Sequence, residues 1–350
     1  MAATYIYAVV PSDRAITVKA NSIDGKPGAV RTVAADNGLA VVVSATDLRD
    51  LRGLSKEDTV RLLLAHQQVV EAVMQTSPVL PVKFGTVFPD ESAARRLLAQ
   101  GRDLLGEALE KYSALVQMEV VVLWDLEQVF AQIAQEEAIA RVRAEMASKG
   151  SEESFTERVR VGQMVASSLA TRRGDLRRRV TAALDELAVD LVQNPPMDDG
   201  TVANIGLLVN RDSRVALDER LELLDEEFGR RLVFRCIGPL PPYTFATVEL
   251  RRPSFEEIDE ARGRLGLGQA ASPDEIRVAY RRRASKIHPD LNPDDADAPS
   301  QMTELNNAYS LLGRYAKSRV TNGERCPLTR EAVESSVLIE IVRQEPLSAE

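Results

Sequence analysis

The sequence predicts an α+β protein that contains two ferredoxin-like α+β domains with a long helical hairpin, followed by a small domain made only of helices. Three observations support this class. Up to residue 252, short segments rich in β-branched residues alternate with helical segments. The interval from residue 126 to about residue 193 is helical and rich in charge, and residues 253–316 show helical periodicity alone. We therefore expect domains at residues 1–125, 126–252 and 253–316, followed by a tail at residues 317–350.

The first domain is predicted from the element order β-ββ-α-β-α-β, which is typical of a ferredoxin-like fold. Its strands are rich in β-branched and aromatic residues and lie at residues 4–10, 30–34, 39–44, 78–88 and 116–124. The second and third strands form a hairpin that turns at Asp36-Asn37-Gly38. His66 lies in the first helix, which Ser55 caps. We interpret it as a structural or surface histidine, because no partner group is evident from the sequence.

The second domain begins with helical sequence that is interrupted at Lys149-Gly150-Ser151. A capping box formed by Ser154 and Glu157 starts a new, long helix, so the two helical stretches can form a protruding αα-hairpin. The remaining elements form an α+β pattern, with strands at residues 201–209 and 231–236, a helix within residues 212–229 and a last strand that ends at Leu250. This domain either has its own set of strands or shares the strand at residues 116–124 with the first domain.

Composition restricts the class of protein. The chain has 350 residues, of which 44% are hydrophobic and 28% are charged, as expected of a soluble globular protein. Its formal net charge of −9 argues against nucleic-acid partners and against an anionic membrane surface. No apolar run approaches the length of a membrane span, and no signal peptide is recognisable. Cys236 and Cys326 are isolated, so we expect a cytoplasmic protein with free thiols.

The residue inventory also argues against an enzyme. The chain has only 2 histidines, and no clustered ligand spacing suggests a metal site, so we expect neither a metal nor another cofactor. Gly266-Leu267-Gly268 resembles the start of a dinucleotide motif, but no strand precedes it. The sequence has no nucleophile elbow. We therefore assign no catalytic residues.

The most specific signal lies between Ser272 and Leu312. Ser272, Pro273 and Glu275 form a capping box with proline in the first turn. Ile276, Tyr280, Arg283 and Ile287 share one stripe of the helix that follows, and Arg277, Arg281, Ala284 and His288 form the adjacent, basic stripe. Pro289 ends the helix, and a second helix carries Met302, Leu305, Tyr309 and Leu312 on one face. Two such helices bury each other and leave the loop between them exposed.

This segment resembles the J domain of the DnaJ co-chaperone family over residues 255–315. The residues that carry the resemblance are Ala279-Tyr280-Arg281-Arg282, Lys286, His288-Pro289-Asp290, Asn306 and Ala308-Tyr309. The resemblance implies a DnaK-type chaperone as partner, contacted by His288, Pro289 and Asp290 and steered by Arg277, Arg281, Arg282 and Lys286. In one departure, Arg283 stands on the core-facing stripe where the family usually has leucine. Its stem can lie on the core while its head reaches water, so we expect a thinner core.

The first 250 residues resemble a second family. The strand TYIYAVV at residues 4–10, LPVKFGTVF at residues 80–88 and GPLPPYTF at residues 238–245 are similar in sequence and order to motifs of the GvpL/GvpF gas vesicle proteins. The resemblance implies assembly of a gas vesicle, a hollow protein shell built in the cytoplasm. The expected partners are the small apolar shell protein and other gas vesicle accessory proteins, recognised through a hydrophobic or edge-strand surface. Candidate shell-binding residues are Lys83, Phe84, Tyr243 and Phe245, although a place in the core is the favoured interpretation of the last two.

Three functional hypotheses follow. The first is a gas vesicle assembly protein, located in the cytoplasm and at the vesicle, whose J-like segment recruits a DnaK-type chaperone. The second is a general J-domain co-chaperone unrelated to gas vesicles, although no Gly/Phe-rich linker and no CxxC repeats follow the J-like segment. The third treats the J-like segment as a relic that acts as a scaffold, for which Arg283 is the only sequence indication.

Overall fold

The structure, a computed structural model, describes residues 3–13, 16, 18–47, 53–147, 155–251, 253–291, 297–319 and 324–344. The strands in these residues are β1 (Ala3–Pro11), β2 (Arg31–Ala34), β3 (Leu39–Thr46), β4 (Leu80–Pro81), β5 (Val87–Phe88), β6 (Leu115–Trp124), β7 (Asp190–Asn194), β8 (Thr201–Asn210), β9 (Leu232–Leu240), β10 (Thr247–Arg251), β11 (Ala270–Ala271), β12 (Cys326–Pro327) and β13 (Leu338–Val342).

The α-helices in the described residues are α1 (Lys56–Met74), α2 (Glu91–Gln100), α3 (Arg102–Tyr112), α4 (Leu126–Ile133), α5 (Glu137–Ala147), α6 (Phe155–Asp185), α7 (Arg214–Glu227), α8 (Phe255–Leu265), α9 (Pro273–Ile287), α10 (Ala298–Arg319) and α11 (Arg330–Glu334). Polar side chains fix several helix starts. Ser55 accepts a hydrogen bond from the Asp58 amide at 3.0 Å, and Asp90 accepts one from the Ala93 amide at 2.8 Å.

The chain divides into two compact units. The first contains the described residues of Met1–Lys111 and Ala246–Val342, and the second contains those of Tyr112–Phe245 and Arg343–Glu350. This division differs from the sequence-based boundary at residue 125 because β6 pairs with β8 and β9, not with the N-terminal sheet. It also places β10 and the C-terminal elements with the N-terminal sheet.

The two sheets share one topology. The first has the order β2-β3-β1-β4, with β5 also paired to β1, and the second has the order β7-β8-β6-β9. Numbering the four strands of each sheet along the chain gives the order 2-3-1-4 in both, which is the ferredoxin-like arrangement. Helices connect the first two strands of the second sheet, whereas a segment without described helix does so in the first. The predicted class, two ferredoxin-like α+β domains with a C-terminal helical segment, is therefore confirmed.

The predicted helical hairpin consists of three described helices. Both α4 and α5 pack against α6, the longest helix, and bury Ile139, Val142 and Leu169. Arg172 on α6 donates to the Glu136 carboxylate at 2.8 Å, and Ser168 donates to the same oxygen at 2.6 Å. These polar contacts, together with the buried apolar side chains, hold the two arms of the hairpin in register. The predicted interruption at Lys149-Gly150-Ser151 and the cap at Ser154 lie outside the described residues.

The C-terminal segment is built on α8, α9 and α10. They enclose a core whose fully buried members include Ile258, Leu265, Ile276, Leu312 and Tyr315. The predicted capping box at Ser272 is present: the Glu275 amide donates to the Ser272 hydroxyl at 3.1 Å, and the Ser272 amide donates to the Glu275 carboxylate at 2.8 Å. The helical content of this segment agrees with the prediction.

The tail, whose structure the sequence leaves open, completes this C-terminal core. Cys326, Leu328, Val333 and Leu338 are buried in the same cluster as the helices. Strand β12 pairs with β11 in the loop between α8 and α9, α11 packs against α8, and β13 pairs with β10. The helical segment is therefore inserted between two strands that pair with each other.

Candidate functional site

The loop between α9 and α10 presents the HPD tripeptide to solvent. His288 ends α9, and the next three residues form a 3-10 turn. The Asp290 amide donates to His288 Nδ1 at 3.2 Å, and the His288 ring lies 3.7 Å from the Asp290 carboxylate. The Asp290 side chain is 86% exposed. This geometry fits a contact with a partner, because the local turn orients the carboxylate without burying it.

The predicted basic residues lie on the helix that precedes this loop. Arg277, Arg281, Arg282 and Lys286 are all exposed on α9. Arg277 forms an ion pair with Asp274 on its own helix, but both groups are well exposed, so the pair leaves the positive charge available to a partner. Tyr280 stacks on Tyr309 of α10 with ring centroids 4.3 Å apart and donates to Asn306 at 2.8 Å, which couples the two helices.

Arg283 lies on the core-facing stripe of α9, but its side chain does not enter the core. Its side chain is exposed, and its guanidinium lies against Gly266, the left-handed residue that ends α8. A Cβ atom at position 266 would lie 2.8 Å from Arg283 Nη2, so the glycine leaves room for the cation beside the helix carboxyl end. Arg282, Arg283 and Lys286 line one side of a cleft of about 470 Å³, with Ile287 and Leu305 also among its lining residues.

The LPVKFG segment forms a turn between two short strands, whereas one strand was predicted at residues 78–88. Two-residue strands β4 and β5 flank the turn, and both pair with β1. Gly85 has a φ of +86°, a conformation that other residues rarely adopt, and Thr86 closes the turn by donating to the Lys83 carbonyl at 2.7 Å. The side chain of Lys83 is more than half exposed and forms an ion pair with Glu249 of β10.

A buried hydrogen-bond relay holds this turn. The Gly85 amide donates to the Tyr5 hydroxyl at 3.0 Å, and the Tyr5 hydroxyl lies 3.1 Å from His66 Nδ1. The Tyr5 hydroxyl can accept from Gly85 and at the same time donate to the Nδ1 atom of a neutral His66 ring. Burial lowers the pKa of His66 to about 4, while a hydrogen bond to the Val82 backbone opposes this shift. Burial likewise raises the pKa of Tyr5, which keeps its proton for the relay.

His66 thus has several partners that the sequence did not reveal. Its ring stacks on Tyr7 at 5.6 Å between centroids and meets the edge of Phe84 at 5.8 Å. Of the two options predicted for it, the structural role is the one that fits, since the residue is 2% exposed. The candidate residue Phe84 is only partly buried, so part of its side chain remains accessible.

The GPLPPYTF segment also ends in a turn. Residues 243–245 form this turn, so Tyr243 and Phe245 do not lie on a strand. Phe245 is 2% exposed and packs with Val192 and Leu208, so its ring is part of the core of the second unit. Tyr243 is partly exposed. Of the two candidates in this segment, only Tyr243 retains surface that a partner can contact.

Gln117 is a site residue that the sequence did not indicate. Although it is buried in β6, its carbonyl accepts from the Thr244 amide at 2.8 Å, and its amide donates to the Thr244 hydroxyl at 2.9 Å and to Glu119. Burial raises the pKa of Glu119, and the hydrogen bond from Gln117 opposes that rise. A polar residue within an apolar strand, VQMEVVV, was the available signal, because a buried amide must find partners.

The described residues contain no helix that is long and apolar enough to cross a membrane. Within the same residues, no group of three or more histidine, cysteine or acidic side chains is placed to bind a metal ion. The site features of this part of the chain are therefore two shaped turns and one exposed loop.

Comparison with known proteins separates the chain into two parts. A family model described as "Gas vesicle synthesis protein GvpL/GvpF" matches residues 3–247, and one described as "DnaJ domain" matches residues 263–320. Gas vesicle protein F of Dolichospermum flosaquae is 24% identical over 249 residues, which cover 70% of this chain and 98% of that protein. Gas vesicle protein F of Streptomyces sp. (strain CB03234) is 28% identical over 245 residues, covering 69% of this chain and 98% of that protein.

The C-terminal match is local. Chaperone protein DnaJ of Prosthecochloris aestuarii is 47% identical over 55 residues, which are 16% of this chain and 14% of that protein. The chain therefore spans only a small part of this relative. Among solved structures, GvpF from Anabaena sp. PCC7120 superposes with a TM-score of 0.58 at 23% identity, covering 70% of this chain and 98% of that one. GvpF from Microcystis aeruginosa gives a TM-score of 0.54 at 24% identity, covering 70% of this chain and 99% of that one. These likenesses establish a shared fold for the larger part.

Proposed function

Because the chain belongs to the gas vesicle synthesis protein GvpL/GvpF family and also carries a DnaJ domain, we propose that it is a gas vesicle assembly factor that brings a DnaK-type chaperone to the vesicle shell protein. The larger part would bind the apolar shell subunit and help to start or extend the shell. The J domain would then couple this client to an ATP-driven chaperone. Both steps would take place in the cytoplasm and at the growing vesicle.

One observation carries this proposal: the J domain is inserted between two strands that pair with each other. Strand β10 leads into the domain and β13 leads out of it, with five residues of each strand in register. A J domain on a flexible tether would sample many positions around its client, whereas this one is attached at two neighbouring points. Such a position favours delivery of the chaperone to one client site.

The chaperone contact is proposed for His288, Pro289 and Asp290, with Arg277, Arg281, Arg282 and Lys286 as steering charges. The exposed loop and the exposed face of α9 support this assignment. Charged residues of this kind act mainly on the association rate, so we expect the interaction to weaken as the salt concentration rises. For contacts with the shell protein we propose two separate sets of residues, Lys83 and Phe84 in the first unit and Tyr243 in the second, and we assign Phe245 to the core.

The first experiment measures stimulation of a DnaK-type ATPase by the full chain and by the Asp290→Asn variant. We expect stimulation by the unmodified chain and loss of at least nine-tenths of it in the variant, with unchanged circular dichroism. Asp274→Asn, which alters an exposed carboxylate at the other end of α9, is the matched control and should retain stimulation. An unmodified chain that gives no stimulation would refute the recruitment of the chaperone.

The second experiment captures bound proteins from cells that assemble gas vesicles. Recovery of one dominant, small and apolar partner supports the assembly role. Recovery of many unrelated unfolded proteins would instead identify a general co-chaperone and would contradict the proposal.

A further inference from the structure

Strand β13 occupies the outer edge of β10. The two strands are antiparallel, with Thr247 opposite Val342 at one end and Arg251 opposite Leu338 at the other. On its other side β10 meets Val82 in a parallel bridge, and the Lys83 amide donates to the Val248 carbonyl at 2.9 Å. The edge that β13 covers would otherwise present unpaired backbone groups, which readily accept another strand.

The surface that receives β13 also has a niche for one side chain. Gly101 lies between α2 and α3, and a Cβ atom at this position would lie 2.5 Å from Ile339 Cδ1 and 2.9 Å from Leu105 Cδ1. The φ of Gly101 is −92°, which any residue can adopt, so the close approach of Ile339 is the reason for glycine here. Ile339 is 2% exposed in this niche. The surface is thus shaped for an extended strand with a branched apolar residue.

The strand that fills this surface lies outside the residues that the two family models match. The matches end at residues 247 and 320, and β13 begins at Leu338. Gas vesicle protein F of Dolichospermum flosaquae is matched over 98% of its length by 249 residues, so it has no counterpart of the added C-terminal segment. The niche at Gly101 belongs to the shared part, whereas its occupant belongs to the added part.

The fit of β13 has one weak position. Glu340 lies directly opposite Glu249, and like charges in this arrangement destabilise a strand pair. Glu249 pairs with Lys83, and Glu340 lies 3.3 Å from Arg314 of α10, so each carboxylate depends on its own partly exposed cation. A strand with an apolar residue in place of Glu340 would avoid this repulsion. Such a strand would therefore have an advantage over β13 at this position.

We propose that the outer edge of β10 and the niche at Gly101 form a docking site for an extended strand of branched apolar residues, which β13 fills until a client strand displaces it. This inference rests on the proposed function, since it takes the client to be the apolar shell subunit. Displacement would also separate β13 from α10 of the J domain, because Glu340 is the partner of Arg314.

The test uses the full-length protein and a fluorescent peptide of residues 336–344, read by fluorescence anisotropy. In the Ile339→Asp variant the niche should be empty, because a carboxylate is not stable among its apolar side chains. This variant should therefore bind the peptide at least tenfold more tightly than the unmodified chain. Glu340→Gln, which removes the repulsion but keeps a hydrogen-bonding side chain, should bind it at least threefold more weakly. Adding Gly101→Ala to Ile339→Asp should abolish binding, because the new methyl group fills the niche.

Equal peptide affinity in the unmodified chain and in both single variants would overturn the docking site. If Ile339→Asp does not fold, as judged by circular dichroism, Glu340→Gln decides alone, and an affinity equal to that of the unmodified chain counts against the proposal. Shell protein co-expressed with each variant then separates this inference from the proposed function. Capture that is stronger with Ile339→Asp supports the site, equal capture by all variants overturns it, and no capture by any of them refutes shell binding itself.

Discussion

The buried His66 predicts a specific loss of stability in acid. The ring is neutral in the folded protein, with a pKa of about 4, whereas an unfolded histidine has a pKa of 6.5. Since the folded pKa is the lower one, the unfolded state binds the proton more readily, and stability falls as the pH decreases from 6.5 towards 4. Between pH 7 and pH 5 the loss is about 2 kcal/mol, and it approaches about 3 kcal/mol below pH 4.

The comparison variant is His66→Gln, whose amide can accept from Tyr5 and donate to the Val82 backbone but does not titrate. Both proteins also lose stability through their carboxylates, and this common part cancels in the difference. Hydrogen exchange in residues 3–11 and 80–88, corrected for the intrinsic rate at each pH, gives the local free energy of opening. We expect the unmodified protein to lose about 2 kcal/mol more than the variant between pH 7 and pH 5. Parallel pH profiles would refute the buried neutral histidine.

Three further substitutions test contacts described above by thermal unfolding. Gln117→Ala removes the hydrogen bonds to Thr244 and should cost about 1–3 kcal/mol in the second unit. Gly238→Ala places a Cβ atom 2.6 Å from Met118 Sδ at a φ of +142° and should cost more than about 3 kcal/mol. Arg283→Leu moves an apolar side chain into the J-domain stripe and should stabilise that domain by roughly 1 kcal/mol, with unchanged stimulation of the ATPase.

Each substitution has a matched control. Glu119→Gln keeps an acceptor for Gln117 and should be nearly neutral. Gly263→Ala lies in α8 with no atom within 4 Å of the new Cβ and should stabilise by about 0.5–1 kcal/mol. Arg283→Lys retains the cation beside Gly266 and should not reproduce the gain from leucine. A loss of stability in Arg283→Leu would show that the cation at the end of α8 matters more than the apolar stripe.

Local patterns predicted most of the secondary structure, because each depends on residues close in sequence. The capping box at Ser272, the basic face of α9 and the exposed loop at His288 belong to this group. The strand order of the first sheet also follows from the element pattern, since a ferredoxin-like fold is nearly determined by it. In the second sheet, β7 lies where the sequence predicts the end of the long helix, and the predicted last strand, β10, pairs outside that sheet. The element pattern does not show to which of the two sheets β6 belongs. Its apolar residues suit either sheet, and only pairing with β8 and β9 decides.

Several features could not be predicted from the sequence because they depend on contacts between residues that are far apart in the chain. His66 acquires its role from Tyr5, 61 positions away, and Gln117 acquires its role from Thr244, 127 positions away. The sequence leaves the secondary structure of the tail open because its apolar residues are too few to form a core alone. They are buried only where the J-domain helices and β10 supply the other side. The burial of Phe245 could not be predicted either, because it depends on the turn at residues 243–245, which directs the ring inward.

The pairing of β10 with β13 makes the J domain a removable cassette. Arg251 and Leu338 face each other across the two strands, so everything between them is, in topological terms, the loop of a β-hairpin. A two-residue Asn-Gly link could replace residues 252–337, because this dipeptide closes antiparallel strands with the correct twist. The product would lack the HPD loop altogether and would retain the pairing of β13 with β10 and the niche for Ile339, while Leu338 would lose its contacts with the J-domain helices. A foreign J domain could be spliced into the same place, which would allow the proposed chaperone contact to be varied while residues 1–251 stay unchanged.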